Sequence, residues 1–292
     1  MFGVKLLQKN GYSRCQKGES GPTGSREFVM KELPKFLKVY DKRPARVNVQ
    51  GTGIHHQFAL WWIVRYLRPA HIIESGVNHG YGTWLLRQAA PTAKLIELDP
   101  MNKQPEYRDN NTDTVYLIGS DFVNFKGRLK FDSSDYPINK AKSLLFIDDH
   151  QNAVDRTLQA YKKGFRYLVF DDNFSAFRAE NPPGVSIDTF SLKRACNALF
   201  QLPDEYSVRG AANKDRIIKV FREAISVYFE FPAIWHTPNS LTGNQWFNVN
   251  ASEAEHMLRK MGLDSGLPPW KNQRWNHIAF VKLNSMYEND FV

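Results

Sequence analysis

The stretch that most constrains this chain is Ile72-Ile73-Glu74-Ser75-Gly76-Val77-Asn78-His79-Gly80-Tyr81-Gly82-Thr83-Trp84. A short apolar run reads as a strand, the glycines as a tight turn, and Tyr81 to Ala89 as a helix stopped by Pro91. A second apolar run, Lys94-Leu95-Ile96-Glu97-Leu98-Asp99-Pro100, follows and ends in carboxylates. A strand, a turn with little side-chain bulk, a helix N-terminus and an acid on the next strand make a corner suited to a nucleoside. The backbone can approach a ligand at the glycines, and the acid can accept from ribose hydroxyls.

Strands and helices then alternate. Thr114 to Ile118 reads as strand three, Ser143 to Asp148 as strand four, Asn152 to Lys163 as a helix closed by Gly164, and Tyr167 to Phe170 as strand five. Before the glycine turn, helical patterns run from Arg26 through Phe28, Leu33, Phe36, Leu37 and Tyr40, and again from His56 to Leu67. Continuous apolar strands separated by helices predict an α/β fold: a doubly wound, mostly parallel, Rossmann-like sheet with helices on both faces. In such sheets ligands bind at the carboxyl ends of the strands. Polar residues collect there: Glu74, Glu97 and Asp99, Ser120 and Asp121, Asp148-Asp149-His150, and Asp171-Asp172-Asn173. One such cluster would be read as helix capping; the set is better explained by a site.

The pattern Glu74-x-Gly76-x-x-x-Gly80-Tyr81-Gly82-Thr83 resembles the first motif of class I S-adenosylmethionine-dependent methyltransferases. Its first two glycines are four apart, where a dinucleotide fold of the G-x-G-x-x-G kind has them two apart. Phe146-Ile147-Asp148-Asp149-His150 and Leu168-Val169-Phe170-Asp171-Asp172-Asn173 are similar to the paired acidic motifs of metal-dependent catechol-type and sugar-type O-methyltransferases. The resemblance covers roughly residues 50–175. It implies that Glu74, Gly76, Gly80, Tyr81, Thr83, Glu97, Asp99, Ser120 and Asp121 face S-adenosylmethionine, with Glu97 ahead of Asp99 as the ribose acid. It also implies a divalent cation, Mg²⁺ or Mn²⁺, on Asp148 (or Asp149), Asp172 and Asn173, with Asp171 as a fallback for Asn173. The lysine that catechol-type enzymes use as base is absent, since Gln151, Asn152 and Ala153 stand there. His150 takes that role in this reading, with helix capping as the alternative.

The implied activity is methyl transfer to a small hydroxylated acceptor: a sugar, a phenol or a related metabolite. The alternative is a methyltransferase-fold protein that binds or regulates without catalysis. With a formal charge of +9 spread along the chain, and no Asn/Asp-Pro-Pro-aromatic tetrad after strand four, no nucleic-acid partner is expected. No stretch approaches the ~20 apolar residues of a membrane span. Cys15 and Cys196 have no metal or redox spacing and read as unpaired thiols in a reducing, cytoplasmic setting. Residues 1–25 read as a flexible leader and 26–292 as one domain. Within it, 174–276 forms an irregular, helical cap on the acceptor side, including a helix over Asp215 to Phe229, a wall with Trp235, His236 and Trp246, and a helix from Ser252 to Met261. His277 to Leu283 reads as a closing strand.

Overall fold

Two helices come ahead of the first strand. α1 (Arg26–Tyr40) buries Val29, Leu33, Phe36, Leu37 and Tyr40, a stripe at helical spacing that continues across Pro34. α2 (Ile54–Leu67) is buried at every residue from Ile54 to Val64, so it sits as an inner helix between α1 and the next helix. It ends at Arg68, whose φ of 47° lies in the left-handed region just before Pro69. The computed structural model describes residues 15, 26–44, 52–101, 103–120, 122, 138–173, 192–196, 211–236, 239–240, 245–247, 253, 256 and 275–285.

From there the elements are β1 (His71–Ser75), α3 (Tyr81–Ala89), β2 (Lys94–Asp99), β3 (Thr114–Ile118), β4 (Ser143–Ile147), α4 (Ala153–Lys162) and β5 (Tyr167–Phe170). They are followed by α5 (Leu192–Ala195), α6 (Ala211–Ala224), β6 (Ile225–Glu230), β7 (Asn239–Ser240), β8 (Trp275–Asn276) and β9 (Ala279–Leu283). Among the described residues seven strands form one sheet in the order β3-β2-β1-β4-β5-β9-β6, and β7 pairs with β8 separately. β1 to β5 are mutually parallel, and β9 runs antiparallel between β5 and β6. This is the doubly wound, mostly parallel α/β architecture that the alternation predicts.

Strand side chains alternate between two cores. Ile72, Leu95, Leu144, Phe146, Val169 and Phe280 face α1, α2 and α3. Ile73, Ile96, Leu98, Leu145, Leu168 and Val281 face α4, α5 and α6. Parallel strands buried on both faces need such unbroken apolar runs, which is why they are legible in the sequence. α4 starts where the Asn152 side chain accepts from the N–H groups of Val154 and Asp155, and it closes at Gly164 with φ 83°.

Three expectations need correction. The helix expected over Asp215 to Phe229 stops at Ala224, and Ile225–Glu230 is a fully buried strand hydrogen-bonded to β9. Ile225, Tyr228 and Phe229 have the spacing of a helix face, but pairing with the closing strand overrides it. The segment assigned to a cap therefore contributes a strand to the main sheet. Finally, the cysteines are not free thiols. Cys15 and Cys196 form a disulfide with Cα atoms 5.3 Å apart across 181 residues of sequence, and both are buried. That bridge is the kind found in oxidising compartments, so the reducing setting inferred from unpaired thiols loses its basis. The helix expected over Ser252 to Met261 lies outside the described residues apart from Glu253 and His256. No helix among the described residues is long and apolar enough to cross a membrane.

Phe280 sits on β9 opposite Val169 on one side and Phe229 on the other. Truncation by Phe280→Ala is expected to lower unfolding free energy by about 3–5 kcal/mol. Urea unfolding measures this directly, and a loss below about 1 kcal/mol would mean that β9 is not packed at the centre of the core.

Candidate active site

The chain runs outward from β1 through β2 to β3, then returns to place β4 on the other side of β1. The crevice at that reversal, beyond the carboxyl ends of β1 and β4, is where open α/β sheets bind ligands. Here the two loops touch. The Asp148 N–H donates to Ser75 O at 2.8 Å. Gly76 has φ 103°, and a Cβ there would lie 2.2 Å from Asp148 O, so only glycine lets the two strand ends close up.

Carboxylates crowd this end of the sheet, and most are already committed. Asp99 Oδ2 accepts from the Val77 and Asn78 N–H groups, and its Oδ1 from Met101 N–H, so it shapes the glycine loop from below. Asp149 accepts from Ser75 Oγ at 2.7 Å and from two nitrogens of the buried Arg156 guanidinium at 2.8 Å. Asp171 Oδ1 accepts from His56 Nδ1 at 2.9 Å, and His56 Nε2 in turn accepts the His277 N–H at 2.8 Å. Those partners place the imidazole proton on Nδ1. Burial works to lower the His56 pKa, but the Asp171 carboxylate holds it above the ordinary value. Asn173 is wholly buried, its Nδ2 donating to Tyr228 Oη at 2.8 Å and its Oδ1 accepting from Lys193 N–H at 3.0 Å.

Asp148 and Asp172 are left facing one another across His150. His150 Nε2 lies 2.9 Å from Asp172 Oδ2 and 3.8 Å from Asp148 Oδ1. One ligand atom from each of the three residues falls within 4.8 Å of the others, a spacing that can hold a metal ion. His150 has φ 54°, an uncommon conformation for a residue with a side chain, and its ring is about half exposed. Enclosure and the nearby Asp171 and Asp172 carboxylates push Asp148 well above the usual carboxylate range. The hydrogen bond to Asp172 raises His150 above its ordinary value. Thr52 Oγ1 donates to Asp148 Oδ2 at 3.4 Å from the loop before α2.

The glycine corner holds a second acidic pair. Glu74 and Glu97 are register partners on β1 and β2 and point to the α3 face, both fully enclosed. Thr83 Oγ1 lies 2.5 Å from Glu74 Oε2 and 3.3 Å from Glu97 Oε2. A hydroxyl carries one proton and cannot donate to both acids, so a proton on one carboxyl completes the set. Burial, and for Glu74 the neighbouring Glu97, raises both acids: Glu74 well above the usual range and Glu97 to about 7. Among the described residues Glu97 Oε1 has no hydroxyl or N–H donor, which leaves a protonated Glu74 as its neighbour. Gly82 makes the room, since a Cβ there would lie 2.0 Å from Glu74 Oε1. Gly80, with φ 87°, admits the backbone of Tyr107, whose oxygen a Cβ would meet at 2.3 Å.

The fold thus gathers Glu74, Gly76, Gly80, Thr83, Glu97 and Asp99 at one corner and Asp148, His150 and Asp172 beside it. Tyr81 starts α3 and stacks on His79, which pairs with Glu106. Ser120 is buried, with its N–H on Asp99 O, and Asp121 lies outside the described residues. His56 and Arg156 hold Asp171 and Asp149 in place, Lys193 and Tyr228 hold Asn173, and no motif marks these four. For His56 a signal exists: His55-His56-Gln57 is a polar cluster at the head of an otherwise apolar helix, where an unpartnered polar group would be costly.

No family model matches the chain, and no curated protein does. Among solved structures it is similar to a Mg-SAM form of cmcI, at 16% identity and a TM-score of 0.35, over 60% of this chain and 64% of that one. It is also similar to cofactor-bound Rv0187 from MTB, at 14% identity and a TM-score of 0.39, over 92% and 100% of the two chains. A putative O-methyltransferase from Klebsiella pneumoniae matches at 13% identity and a TM-score of 0.37, over 89% and 96%. Likeness at this level identifies no relative, and the chemistry has to be read from the site.

Because the folded pKa values of Glu74 and Glu97 lie above their unfolded values, the folded state keeps a proton that the unfolded chain has released. Their contribution to stability is present below the unfolded pKa of 4.5 and is lost as pH rises toward about 7. Glu97→Gln removes one of the two acids, so its melting temperature is expected to fall less than the wild type's between pH 5 and pH 8. Equal pH dependence in the two proteins would contradict a shared buried proton.

Proposed function

We propose that this chain is an S-adenosylmethionine-dependent O-methyltransferase that acts on a small hydroxylated acceptor, a sugar, a phenol or a related metabolite, with a divalent cation at Asp148, His150 and Asp172. The observation that carries the reading is the pair Asp148 and Asp172, set across His150 beside a glycine corner in which the neighbouring acids already have protein partners. The motif resemblance supports the cofactor, and one feature of the corner fits it. Glu97 Oε1 is a buried acceptor with no hydroxyl or N–H donor among the described residues, and a ribose hydroxyl would supply one.

In this reading the chain contributes chiefly orientation and charge. Asp99 fixes the loop through the Val77 and Asn78 N–H groups before any ligand arrives, so little ordering is left for binding to do. Asp148 and Asp172 supply negative charge, and His150 supplies one imidazole nitrogen. A mixed oxygen and nitrogen set suits Mg²⁺ or Mn²⁺ less strictly than oxygen alone, with Mn²⁺ the better match for imidazole. A divalent cation there would lower the pKa of a chelated acceptor hydroxyl. The Nε2 atom of His150 faces both acids and can serve a cation or a proton, not both at once. We therefore place His150 in the donor set in place of Asn173 and leave the acceptor's proton to water. Methyl transfer from a sulfonium asks for little beyond alignment of the attacking oxygen, which two held reactants provide.

Turnover with labelled methyl donor and a panel of hydroxylated acceptors tests the reading. EDTA is expected to abolish transfer, with Mn²⁺ or Mg²⁺ restoring it, and Asp172→Ala to lose at least about 100-fold. Full, chelator-insensitive activity of Asp172→Ala would overturn the cation. Absence of any S-adenosylmethionine or S-adenosylhomocysteine binding at millimolar concentration would overturn the enzyme reading and favour a protein that has the fold without the chemistry.

A further inference from the structure

β5 ends in Asp171-Asp172-Asn173, and the residues on either side of Asp172 are pinned. Asp171 is held by the Ile147 carbonyl through its N–H and by His56 through its carboxylate. Asn173 is held by the His277 carbonyl through its N–H, and its amide belongs to a closed ring of buried and half-buried contacts. Around that ring, Asn173 Nδ2 donates to Tyr228 Oη at 2.8 Å, and Tyr228 Oη donates to Glu230 Oε1 at 2.6 Å. Glu230 Oε2 accepts from Lys193 Nζ at 3.5 Å, and Lys193 N–H returns to Asn173 Oδ1 at 3.0 Å. The ring joins the end of β5 to β6 and to α5. Burial, with the Glu230 carboxylate beside it, pushes the Tyr228 hydroxyl well above its ordinary value, so it stays a donor.

Lys193 supplies two of the four contacts, yet it sits on a helix of four residues, too short to hold itself. α5 is fixed from outside. Leu192 and Ala195 enter the core, the Ala195 carbonyl accepts from Arg222 Nε at 3.2 Å, and Cys196 is tied covalently to Cys15. The Cys196 N–H donates to Leu192 O at 2.8 Å, so the bridge grips the same turn that presents Lys193.

We infer that the Cys15–Cys196 bridge, through α5 and the Asn173–Tyr228–Glu230–Lys193 ring, positions Asp172 for the cation, so that cation affinity depends on the bridge being closed. The inference rests on the proposed cation site and adds to it positioning residues and a redox dependence. Opening the bridge takes two electrons and two protons from a dithiol, which leaves as its own disulfide, while Cys15 and Cys196 become thiols. Groups that orient a ligand from behind typically change metal affinity by about 10- to 100-fold.

The test measures Mn²⁺ affinity from the electron paramagnetic resonance of the free ion, S-adenosylhomocysteine affinity by calorimetry, and thermal unfolding. The proteins are wild type, Tyr228→Phe and Cys15→Ser/Cys196→Ser. Tyr228→Phe keeps the ring packed and deletes only the hydroxyl. Each variant is expected to unfold cooperatively, to bind Mn²⁺ about 10-fold or more weakly, and to bind S-adenosylhomocysteine as the wild type does. Wild-type Mn²⁺ affinity in either folded variant would overturn the inference, as would equal weakening of both ligands. Loss of cooperative unfolding in the double-serine protein would show that the bridge holds the whole domain and would also overturn it. If the wild type itself bound no Mn²⁺, the cation reading would fall, and the inference with it, a result distinct from a wild type that binds and variants that bind equally well.

Discussion

Mutual repulsion among carboxylates governs this end of the molecule. Parallel strands bring Glu74, Glu97, Asp99, Asp148, Asp149, Asp171 and Asp172 to one edge of the sheet, where burial and then the neighbouring carboxylates raise Glu74 and Asp148 well above the usual range. Each acid needs a proton, a cation or a set of N–H donors. Arg156 neutralises Asp149, His56 faces Asp171, backbone N–H groups satisfy Asp99, and Glu74 and Glu97 share a proton beside Thr83. Among the described residues Asp148 and Asp172 have His150 and the distant Thr52 hydroxyl as partners. The proposed divalent cation would neutralise them.

The same constraint explains why the surroundings are so heavily tied down. His150 adopts φ 54°, a conformation that costs about 1–3 kcal/mol for a non-glycine residue and is tolerated where neighbours over-determine it. That backbone turns the imidazole back over the two acids. Asp171 and Asn173 flank Asp172 and are anchored on opposite sides, by α2 on one and by β6 and α5 on the other. A site with few moving parts holds its ligands near a productive geometry.

How much of this the sequence discloses depends on the range of the interaction. β1 to β5 are apolar runs of strand length bounded by polar turns, glycine or proline, and every one is legible from local pattern. β6 is hidden because α6 passes into it without a glycine or proline, and only pairing with β9 shows that Ile225–Glu230 is extended. The disulfide is equally hidden, since nothing local relates Cys15 to Cys196. At the site, Asp148 and Asp172 are legible from their strand-end positions. The part played by Asn173 is not, because Tyr228 and Lys193 are brought to it by tertiary structure. His150 stands out in the sequence as functional, and the structure sets its Nε2 near Asp148 and Asp172, the two acids that the motif resemblance implies as ligands.

The most direct measurement is the anomalous scattering of Mn²⁺ in crystals grown with S-adenosylhomocysteine. The account predicts one strong peak at coordination distance from Asp148, His150 and Asp172, with the nucleoside in the corner beside Glu97. A peak elsewhere, or a cofactor bound in that corner with no metal beside it, would contradict it.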